Sequence, residues 1–360
     1  MQHPLVTVVV TPRERFGVTQ ESLESLYDNT EEPFELIYVD GNSPPRIARY
    51  LSEQAEARGF RRIRTERYLT PNEARNLGTS QARTKYVAFV ENDVIYTRGW
   101  LRNLVRCAEE TEAAIVAPLI CQGVPYHTQI HHAGGEYTPL DEIDDFLDDE
   151  RSSGRREIAE KMYGHGEALN AWDGRLHRHD TGFCEFHCVL VRRDIFDLVG
   201  PLDEAMLCTK EHIDFSMTVR RAGERVVFEP TSLVTYLFPN RHKPLEPSDW
   251  PFFLLRWSDS WEVKSLQHFR DKWQLRETAY FKDRYNNTGW RRVQGVIRPL
   301  VRRLPVIGRS DLLVRIAVRL IRPFEHLHNR LHVARHGREA GRTAATWTQQ
   351  GAPVDSTSPA

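Results

Sequence analysis

The sequence predicts an α/β fold in which a mostly parallel sheet carries helices on both faces. β-branched runs alternate with helix-like stretches over residues 1–120, and this alternation is typical of βαβ units. Ligands of such sheets bind at the carboxyl ends of the strands. Strand-like runs end near Thr11, Asp40 and Asp93, so we expect a binding site at these positions.

Each element of this first part follows from its local pattern. Residues 5–10 are a β-branched run, and a polar-capped helical stretch follows at 19–27. Residues 34–39 predict a second strand that ends in a cluster of turn-forming residues. The remaining elements are a helix at 47–57, a strand at 62–65, a helix at 72–81, a strand at 86–90, a helix at 100–110 and a strand at 114–118.

The strand at 86–90 is the most informative of these elements. It is almost continuously apolar, which is typical of a strand buried on both faces, and it runs directly into Glu91-Asn92-Asp93. Two carboxylates at the end of a buried strand are costly unless they meet a cation, and at this place the cation usually arrives with a ligand. A solvated turn with Asp93 as a helix cap is the alternative.

The alternation breaks down between residues 122 and 163. Residues 141–150 hold seven acids, which favours a solvated insertion over a mobile flap, and the spacing lacks the glycine and glutamate of a calcium loop. Strand and helix signals return at 185–192, 211–222, 225–228 and 258–275.

The last quarter is strongly basic, although the formal net charge of the 360-residue chain is −1. Residues 286–342 hold thirteen arginines against three acids, with apolar residues at helical spacing, which predicts basic amphipathic helices. Residues 343–360 have the composition of a disordered tail.

The five scattered cysteines do not suggest a disulfide framework, and we expect them to be reduced and mostly buried. No signal peptide or membrane span is recognisable, so the cytoplasm is the expected location.

Seven short motifs carry a family resemblance through their order and spacing. They are Val8-Val9-Val10-Thr11, Tyr38-Val39-Asp40-Gly41, Ala74-Arg75-Asn76-Leu77-Gly78, Glu91-Asn92-Asp93, the segment 189–204, Glu211-His212-Ile213-Asp214 and Phe269-Arg270-Asp271-Lys272-Trp273. Over about residues 5 to 275 the chain resembles the family 2 glycosyltransferases, GT-A enzymes that move a sugar from a nucleotide-sugar to an acceptor hydroxyl. The resemblance implies a catalytic domain at 1–285, divided into a nucleotide-sugar-binding half (1–120) and an acceptor half (121–285). The helical region 286–342 and the tail 343–360 follow it.

The resemblance also implies a donor site. Asp40 matches the acid that accepts hydrogen bonds from the donor's base, as an acceptor-only carboxylate can from an imide N–H. Its role as an Asx-turn residue is compatible with this. Thr11 matches part of the nucleoside pocket, and Arg75 matches an arginine that contacts the base or the diphosphate. A plain surface arginine on a helix is the alternative for Arg75.

Glu91 and Asp93 stand where the family has Asp-x-Asp. By this resemblance Asp93 binds Mg²⁺ or Mn²⁺ together with the diphosphate, because hard oxygen ligands suit such ions. The ion would neutralise charge on the leaving diphosphate. Glu91 replaces the usual first aspartate and is expected to face the ribose or a metal-bound water.

The catalytic base is where the sequence departs from the family pattern. His212 occupies the position at which relatives carry the aspartate that deprotonates the acceptor, and Glu211 and Asp214 flank it on the same helix. Imidazole can act as a general base near neutral pH. One of the acids is the base or orients His212, and we rank Asp214 and Glu211 above His212. The plain alternative is that these acids only favour the helix dipole.

Two further features concern the metal. Tyr236 stands where relatives often carry a histidine, so the ion is expected to be held less firmly, or by diphosphate and water alone. His127, His131 and His132 form a cluster for which we expect acceptor contacts or loop packing rather than metal binding.

The expected function is an inverting hexosyl- or related sugar transferase acting on a glycan or lipid-linked acceptor in cell-surface polysaccharide or glycolipid assembly. The basic helices would hold it at the cytoplasmic face of a membrane, unless they pack on the catalytic domain or a partner. The rival is an inactive nucleotide-binding scaffold that acts on membrane or nucleic acid through these helices. Nucleic acid is not expected as a partner, because the helices lack interleaved aromatic residues on which bases could stack. A nucleotidyltransferase is disfavoured because the loop 11–17 has only one glycine.

Overall fold

A ten-stranded mixed sheet forms the centre of the described chain, which comprises residues 3–138, 157–237 and 244–337 of a computed structural model. The acidic segment 141–150 and the tail 343–360 lie outside these residues, so the predictions made for them are not addressed. The strands are β1 Val6–Thr11, β2 Phe34–Gly41, β3 Arg61–Thr65, β4 Tyr86–Glu91, β5 Val94–Tyr96, β6 Ile115–Gln122, β7 Ile130–His132, β8 Gly135–Thr138, β9 Ala159–Met162, β10 His179–Asp180, β11 Cys188–Arg192 and β12 Val226–Tyr236.

The strand order confirms the predicted α/β class with a mostly parallel sheet. The order is β10-β12-β6-β11-β4-β1-β2-β3, and a separate two-stranded ribbon joins β8 to β9. β3, β2, β1 and β4 are parallel neighbours, and β6 is parallel to β12. β11, which the sequence predicted as a strand at 185–192, is shorter and runs antiparallel to both β4 and β6.

Helices cover both faces of the sheet, as the sequence predicted. They are α1 Thr19–Asp28, α2 Pro45–Arg58, α3 Pro71–Thr79, α4 Trp100–Thr111, α5 Ile195–Val199, α6 Glu211–Arg221, α7 Trp250–Arg256, α8 Asp259–Lys272, α9 Ala279–Asn286, α10 Trp290–Arg292, α11 Arg298–Arg302 and α12 Asp311–His336. The long helix predicted at 258–275 is α8, and α7 precedes it as a separate helix.

Close packing of α3 on the sheet depends on a glycine. A Cβ atom at Gly78 would overlap the Val9 side chain of β1 and would contact Val39 of β2. All six residues of β1 and all six of β4 are buried, since helices cover both of their faces. This arrangement holds α3, and with it Arg75, against the carboxyl ends of the central strands.

A buried arginine joins the C-terminal helix α12 to the start of α8. The side chain of Arg292 is fully buried, its Nη2 lies 3.1 Å from Glu325 Oε2 and 2.8 Å from Asp259 Oδ1, and Nη1 donates to the carbonyl of Trp257. Because Glu325 is on α12 and Asp259 begins α8, this cluster fastens α12 to the body of the protein. The predicted C-terminal helices are therefore present, and one face of α12 is packed.

The other face of α12 carries exposed apolar side chains, and arginines lie along the same helix. The large exposed apolar residues of this helix are Leu312, Leu313, Ile316, Leu320, Phe324, Leu327 and Leu331. Among the described helices, none combines the length and the apolar character that a bilayer span needs.

Candidate active site

The structure places the five residues predicted for the donor site at one edge of the sheet. Thr11 and Glu91 are register partners at the ends of β1 and β4, and the Asn92 amide donates to the Thr11 carbonyl at 3.0 Å. Asp40 lies near the end of the neighbouring strand β2. Arg75, on α3, reaches the same edge and bonds to Glu91. Asp93 follows β4 by two residues, so the predicted positions do converge.

Asp40 is already paired with two arginines of β3. Its Oδ2 accepts hydrogen bonds from Arg62 Nε at 3.0 Å and Arg64 Nη1 at 2.9 Å, while Oδ1 accepts one from the Ser43 amide at 2.9 Å. Burial raises the pKa of Asp40, but the bonds from Arg62, Ser43 and Arg64 outweigh it and hold the pKa below its ordinary value. A nucleobase that contacts Asp40 would therefore share its oxygens with these cations.

Glu91 is the centre of a buried charge network. Its Oε1 accepts a hydrogen bond from Arg75 Nη2 at 3.0 Å, its Oε2 lies 3.2 Å from Arg13 Nε, and the Nδ1 atom of His187 is 2.7 Å from the same oxygen. Burial works against the charged form of Glu91, but Arg13, His187 and Arg75 together lower its pKa strongly. Glu91 is thus an ionised carboxylate whose charge is balanced by protein groups.

Asp93 has the opposite environment. Its side chain is fully buried, and neither carboxyl oxygen has a hydrogen-bond partner within the described residues. Burial, and after it the charges of Glu91 and Glu14, raise its pKa well above the ordinary value. A buried carboxylate without a partner is costly, and a divalent cation would remove that cost. The residues therefore fit a metal ion at this position.

Three arginines give the site its positive charge. Arg13 follows β1, Arg75 is on α3, and Arg256 ends α7; all three are buried. Arg256 Nη2 lies 3.5 Å from Glu211 Oε1, and Arg75 Nη1 lies 4.0 Å from the same oxygen. Burial, with some help from neighbouring arginines, lowers the pKa of Arg75 to about 10 even though Glu91 and Glu211 oppose the shift. In the described part of the chain, Nε of Arg75 and Nε of Arg256 lack hydrogen-bond partners. Such a cluster suits a bound anion.

The three candidate bases at the start of α6 have different surroundings. Glu211 is buried beside Arg256 and Arg75. Asp214 accepts hydrogen bonds from Lys272 Nζ and from Trp273 Nε1, both at 2.8 Å, so its carboxylate is held by the end of α8.

His212 is the most accessible of the three. Its side chain is 18% exposed, against 3% for Glu211 and 4% for Asp214. Its Nε2 lies 3.5 Å from Glu185 Oε1. Burial raises the pKa of Glu185, but His212 and two further histidines lower it below its ordinary value. An ionised acid beside an imidazole can orient that imidazole and stabilise its protonated form.

Sequence reasoning missed His187, Glu185, Arg13 and Arg256 as members of the site. His187 directly precedes β11, and its carbonyl accepts a hydrogen bond from the Glu91 amide at 3.1 Å. Its ring stacks on Tyr236 at 3.9 Å and meets the edge of His131 at 5.0 Å. Of the predicted histidine cluster, His131 reaches this site, while His127 bonds to Thr235 instead. The two polar residues Glu185 and His187, directly before an apolar strand, were the available signal.

The mostly parallel sheet and the acidic end of β4 fit the GT-A class of fold. The chain belongs to the glycosyl transferase family 2, whose family model matches residues 7–200. This membership confirms the resemblance on which the predicted donor site was based. The roles of the individual site residues remain predictions.

Individual relatives are distant. An uncharacterised protein of Sinorhizobium fredii, y4gI, is 27% identical over 245 residues, which are 63% of this chain and 24% of that protein. An uncharacterised glycosyltransferase of Bacillus subtilis, EpsJ, is 23% identical over 234 residues, or 65% of this chain and 61% of that protein. A pre-mycofactocin glycosyltransferase of Mycobacterium tuberculosis is 26% identical over 166 residues, 46% of this chain and 30% of that protein. The chain spans less than two thirds of each relative.

Solved structures show a general likeness. GalNAc-T7 with UDP, GalNAc and Mn²⁺ is 15% identical with a TM-score of 0.49, over 80% of this chain and 57% of that one. Staphylococcus aureus TarS in complex with UDP-GlcNAc is 13% identical with a TM-score of 0.46, over 90% and 88% of the two chains. Likeness at this level supports no statement about a substrate or a cofactor.

The environment of Asp93 predicts that its replacement stabilises the metal-free protein. Because the folded state raises the pKa of this acid, the unfolded chain releases the proton more easily, and stability falls as the pH rises between the two pKa values. Asp93→Asn removes this penalty. We expect its free energy of unfolding, measured by denaturant titration with a chelator, to exceed that of wild type by about 1 kcal/mol or more at neutral pH. The difference should shrink in acid.

Asp249 provides the matched control. Its buried carboxylate accepts hydrogen bonds from the amides of Phe16, Gly17 and Glu246. Burial raises the pKa of Asp249 as well, but these three hydrogen bonds oppose the shift, so Asp249→Asn should gain less stability than Asp93→Asn. A change in stability of Asp93→Asn no larger than that of Asp249→Asn would mean that Asp93 has partners, which contradicts the metal-site interpretation.

Proposed function

We propose that the protein transfers a sugar, with inversion, from a nucleotide-diphosphate sugar to the hydroxyl of a glycan or lipid-linked acceptor. One observation carries this proposal. The buried carboxylate of Asp93 has no hydrogen-bond partner among the described residues and lies beside a cluster of buried arginines in a family 2 chain. A negative site for a cation next to a positive site for an anion suits a diphosphate with its metal ion.

The donor half of the site follows from these charges. Asp93, with Glu91 next to it, would hold Mg²⁺ or Mn²⁺, which supplies charge neutralisation for the leaving diphosphate. Arg75 and Arg256 offer guanidinium groups to the phosphates, and Arg13 lies with them. Such fixed charges in a water-poor site stabilise developing charge strongly because they need no reorganisation.

The nucleoside is expected beside Thr11 and Asp40. Asp40 can accept a hydrogen bond from a base N–H, while Arg62 and Arg64 hold the carboxylate in place and keep it ionised. Arg62 and Arg64 surround the same carboxylate, so a base carbonyl could bind to their remaining N–H groups. The identity of the bound nucleobase then depends on how its polar groups match one acceptor, the Asp40 carboxylate, and two donors, the guanidinium groups of Arg62 and Arg64.

For activation of the acceptor hydroxyl the geometry favours His212 as the base. This differs from the sequence analysis, which ranked Asp214 and Glu211 above His212. Glu211 is enclosed by arginines, and Asp214 is committed to Lys272 and Trp273. In our proposal His212 takes the proton of the acceptor hydroxyl, and Glu185 stabilises the resulting imidazolium. The acceptor oxygen then forms its bond to the anomeric carbon as the bond to the diphosphate breaks on the opposite face. This single displacement inverts the configuration.

The donor site is tested by calorimetric titration of wild type with nucleoside diphosphates and nucleotide-sugars, with and without Mn²⁺. We expect metal-dependent binding of one nucleotide and its loss in Asp93→Ala, because that variant lacks the metal carboxylate. Asp173→Ala, at an exposed position outside the site, should bind as wild type does. No binding of any nucleotide would favour the inactive scaffold instead.

The base assignment is tested by turnover once the donor is known. His212→Gln should lower kcat by roughly 10²–10⁴, the usual contribution of a positioned base, while nucleotide affinity is retained. His177→Gln, at an exposed histidine, is the control. Asp214→Asn should instead reduce stability. If Asp214→Asn stays folded and loses turnover while His212→Gln keeps its turnover, Asp214 is the base and our ranking of the candidate bases is wrong.

The exposed face of α12 supports a membrane location, and with it a lipid-linked acceptor. Exposed leucines and Phe324 occur with arginines on one helix, and of its two acids Glu325 is paired with the buried Arg292. Apolar side chains can enter the interface of a bilayer while arginines contact anionic headgroups. We propose that the enzyme works at the cytoplasmic face of the membrane, in polysaccharide or glycolipid assembly.

Vesicle sedimentation tests this location. Leu320→Glu combined with Phe324→Glu should weaken partition into anionic vesicles about tenfold or more, because it removes apolar contact and adds repulsion. Added salt should weaken wild-type binding. Leu198→Glu is matched in exposure, 61% against 68% for Leu320, and should change nothing. Wild-type protein that stays in the supernatant with anionic vesicles would contradict the proposal and favour a protein partner for this face.

A further inference from the structure

We propose that His187 is a direct ligand of the divalent cation, with Asp93 and Glu91, so that the site contains nitrogen and selects Mn²⁺ over Mg²⁺. The inference rests on the proposed function, since the same ion would serve the diphosphate. It assigns a metal role to a histidine that directly precedes β11 and that the sequence analysis did not include in the site.

The ligand atoms lie close enough together for a single ion to draw them into one coordination sphere. One ligand atom from each of Glu91, Asp93 and His187 lies within 4.8 Å of the others. Glu91 Oε2 and His187 Nδ1 are 2.7 Å apart. Adjacent ligands of an octahedral ion with bonds of about 2.1 Å are about 3 Å apart, so these two atoms fit neighbouring positions after a small shift.

The imidazole of His187 is held in place for this role. Its side chain is 1% exposed, and its ring stacks on Tyr236 at an interplanar angle of 26°. The edge of His131 lies against another side of the ring, with a centroid distance of 5.0 Å. A ring fixed between two aromatic neighbours loses little conformational freedom when it binds an ion.

Charge balance explains why a neutral ligand is suitable here. Arg13 and Arg75 already balance the charge of Glu91, so Asp93 supplies the free negative charge for the ion. A third carboxylate would add a buried charge, whereas an imidazole adds a ligand without one. Mg²⁺ prefers oxygen ligands and keeps its waters, while imidazole binds more readily to the later divalent metals.

A neighbouring triad competes for the ion. Ligand atoms of His131, Glu185 and His187 also lie within 4.8 Å of one another. That group shares His187 but lacks Asp93, and Glu185 Oε1 already has a neighbour in His212 Nε2 at 3.5 Å. In the part of the chain that the structure describes, neither carboxyl oxygen of Asp93 has a hydrogen-bond partner, so we place the ion on its side of His187.

The direct test is pulsed electron paramagnetic resonance on the full-length protein loaded with Mn²⁺ alone. We expect bound Mn²⁺ with nitrogen modulation of the electron spin echo, the signature of a coordinated imidazole. Calorimetry should show Mg²⁺ binding more weakly than Mn²⁺ by roughly tenfold or more. An echo without nitrogen modulation, or no Mn²⁺ binding at millimolar concentration, would overturn the proposal, and this measurement needs no variant.

Variants then locate the ion. His187→Gln should abolish the nitrogen modulation and weaken Mn²⁺ binding by roughly 10- to 100-fold, while His127→Gln, at a half-buried histidine bonded to Thr235, should keep both. Asp93→Asn should lose the ion. If Asp93→Asn keeps wild-type Mn²⁺ affinity, the ion belongs to the Glu185 group and the inference is wrong.

Failure of this inference is distinguishable from failure of the proposed function. Metal-dependent nucleotide binding with an all-oxygen Mn²⁺ signal would leave the transferase intact and remove His187 as a ligand. Nitrogen-coordinated Mn²⁺ in a protein that binds no nucleotide would keep the metal site and refute the transferase.

Discussion

The buried charge of Glu91 is the constraint on which the rest of the site depends. An ionised carboxylate at the end of a central strand is tolerated only when cations surround it, and removal of one partner of such a network typically costs about 3–5 kcal/mol. Arg13 after β1 and Arg75 on α3 supply these cations, and the imidazole of His187 before β11 lies against the same group. The same contacts that keep the fold together therefore place these three side chains in the site. Asp93, two residues further, has no hydrogen-bond partner among the described residues.

Much of the donor side was predictable because it depends on local pattern. A buried run that ends in acids identifies β4, and parallel strands bring their ends to one edge, so Asp40, Glu91 and Asp93 were found together from sequence. The contribution of β11 was not predictable. Its antiparallel pairing with β4 joins segments far apart in the chain, and only this pairing brings His187 opposite Glu91. The place of Arg256 in the site was not predictable either, because its contact with Glu211 also joins segments that are far apart in the chain.

The order of the candidate bases shows a second limit of sequence reasoning. Three polar residues at a helix start look equivalent, because a helix pattern shows which face they share but not what lies opposite. Lys272 and Trp273, at the end of α8, bind Asp214 and so draw it into the structure of the domain. The motif that contains them supported the family resemblance, yet its contact with α6 could only be seen in three dimensions.

The Arg292 cluster means that α12 is not an independent appendage. Its Glu325 shares one guanidinium with Asp259 and with the Trp257 carbonyl, and Trp257 directly follows Arg256 of the anion cluster. Shortening the chain before α12 would leave that guanidinium buried with half of its carboxylate partners gone. A single buried side chain therefore connects α12 to the segment of the chain that carries Arg256.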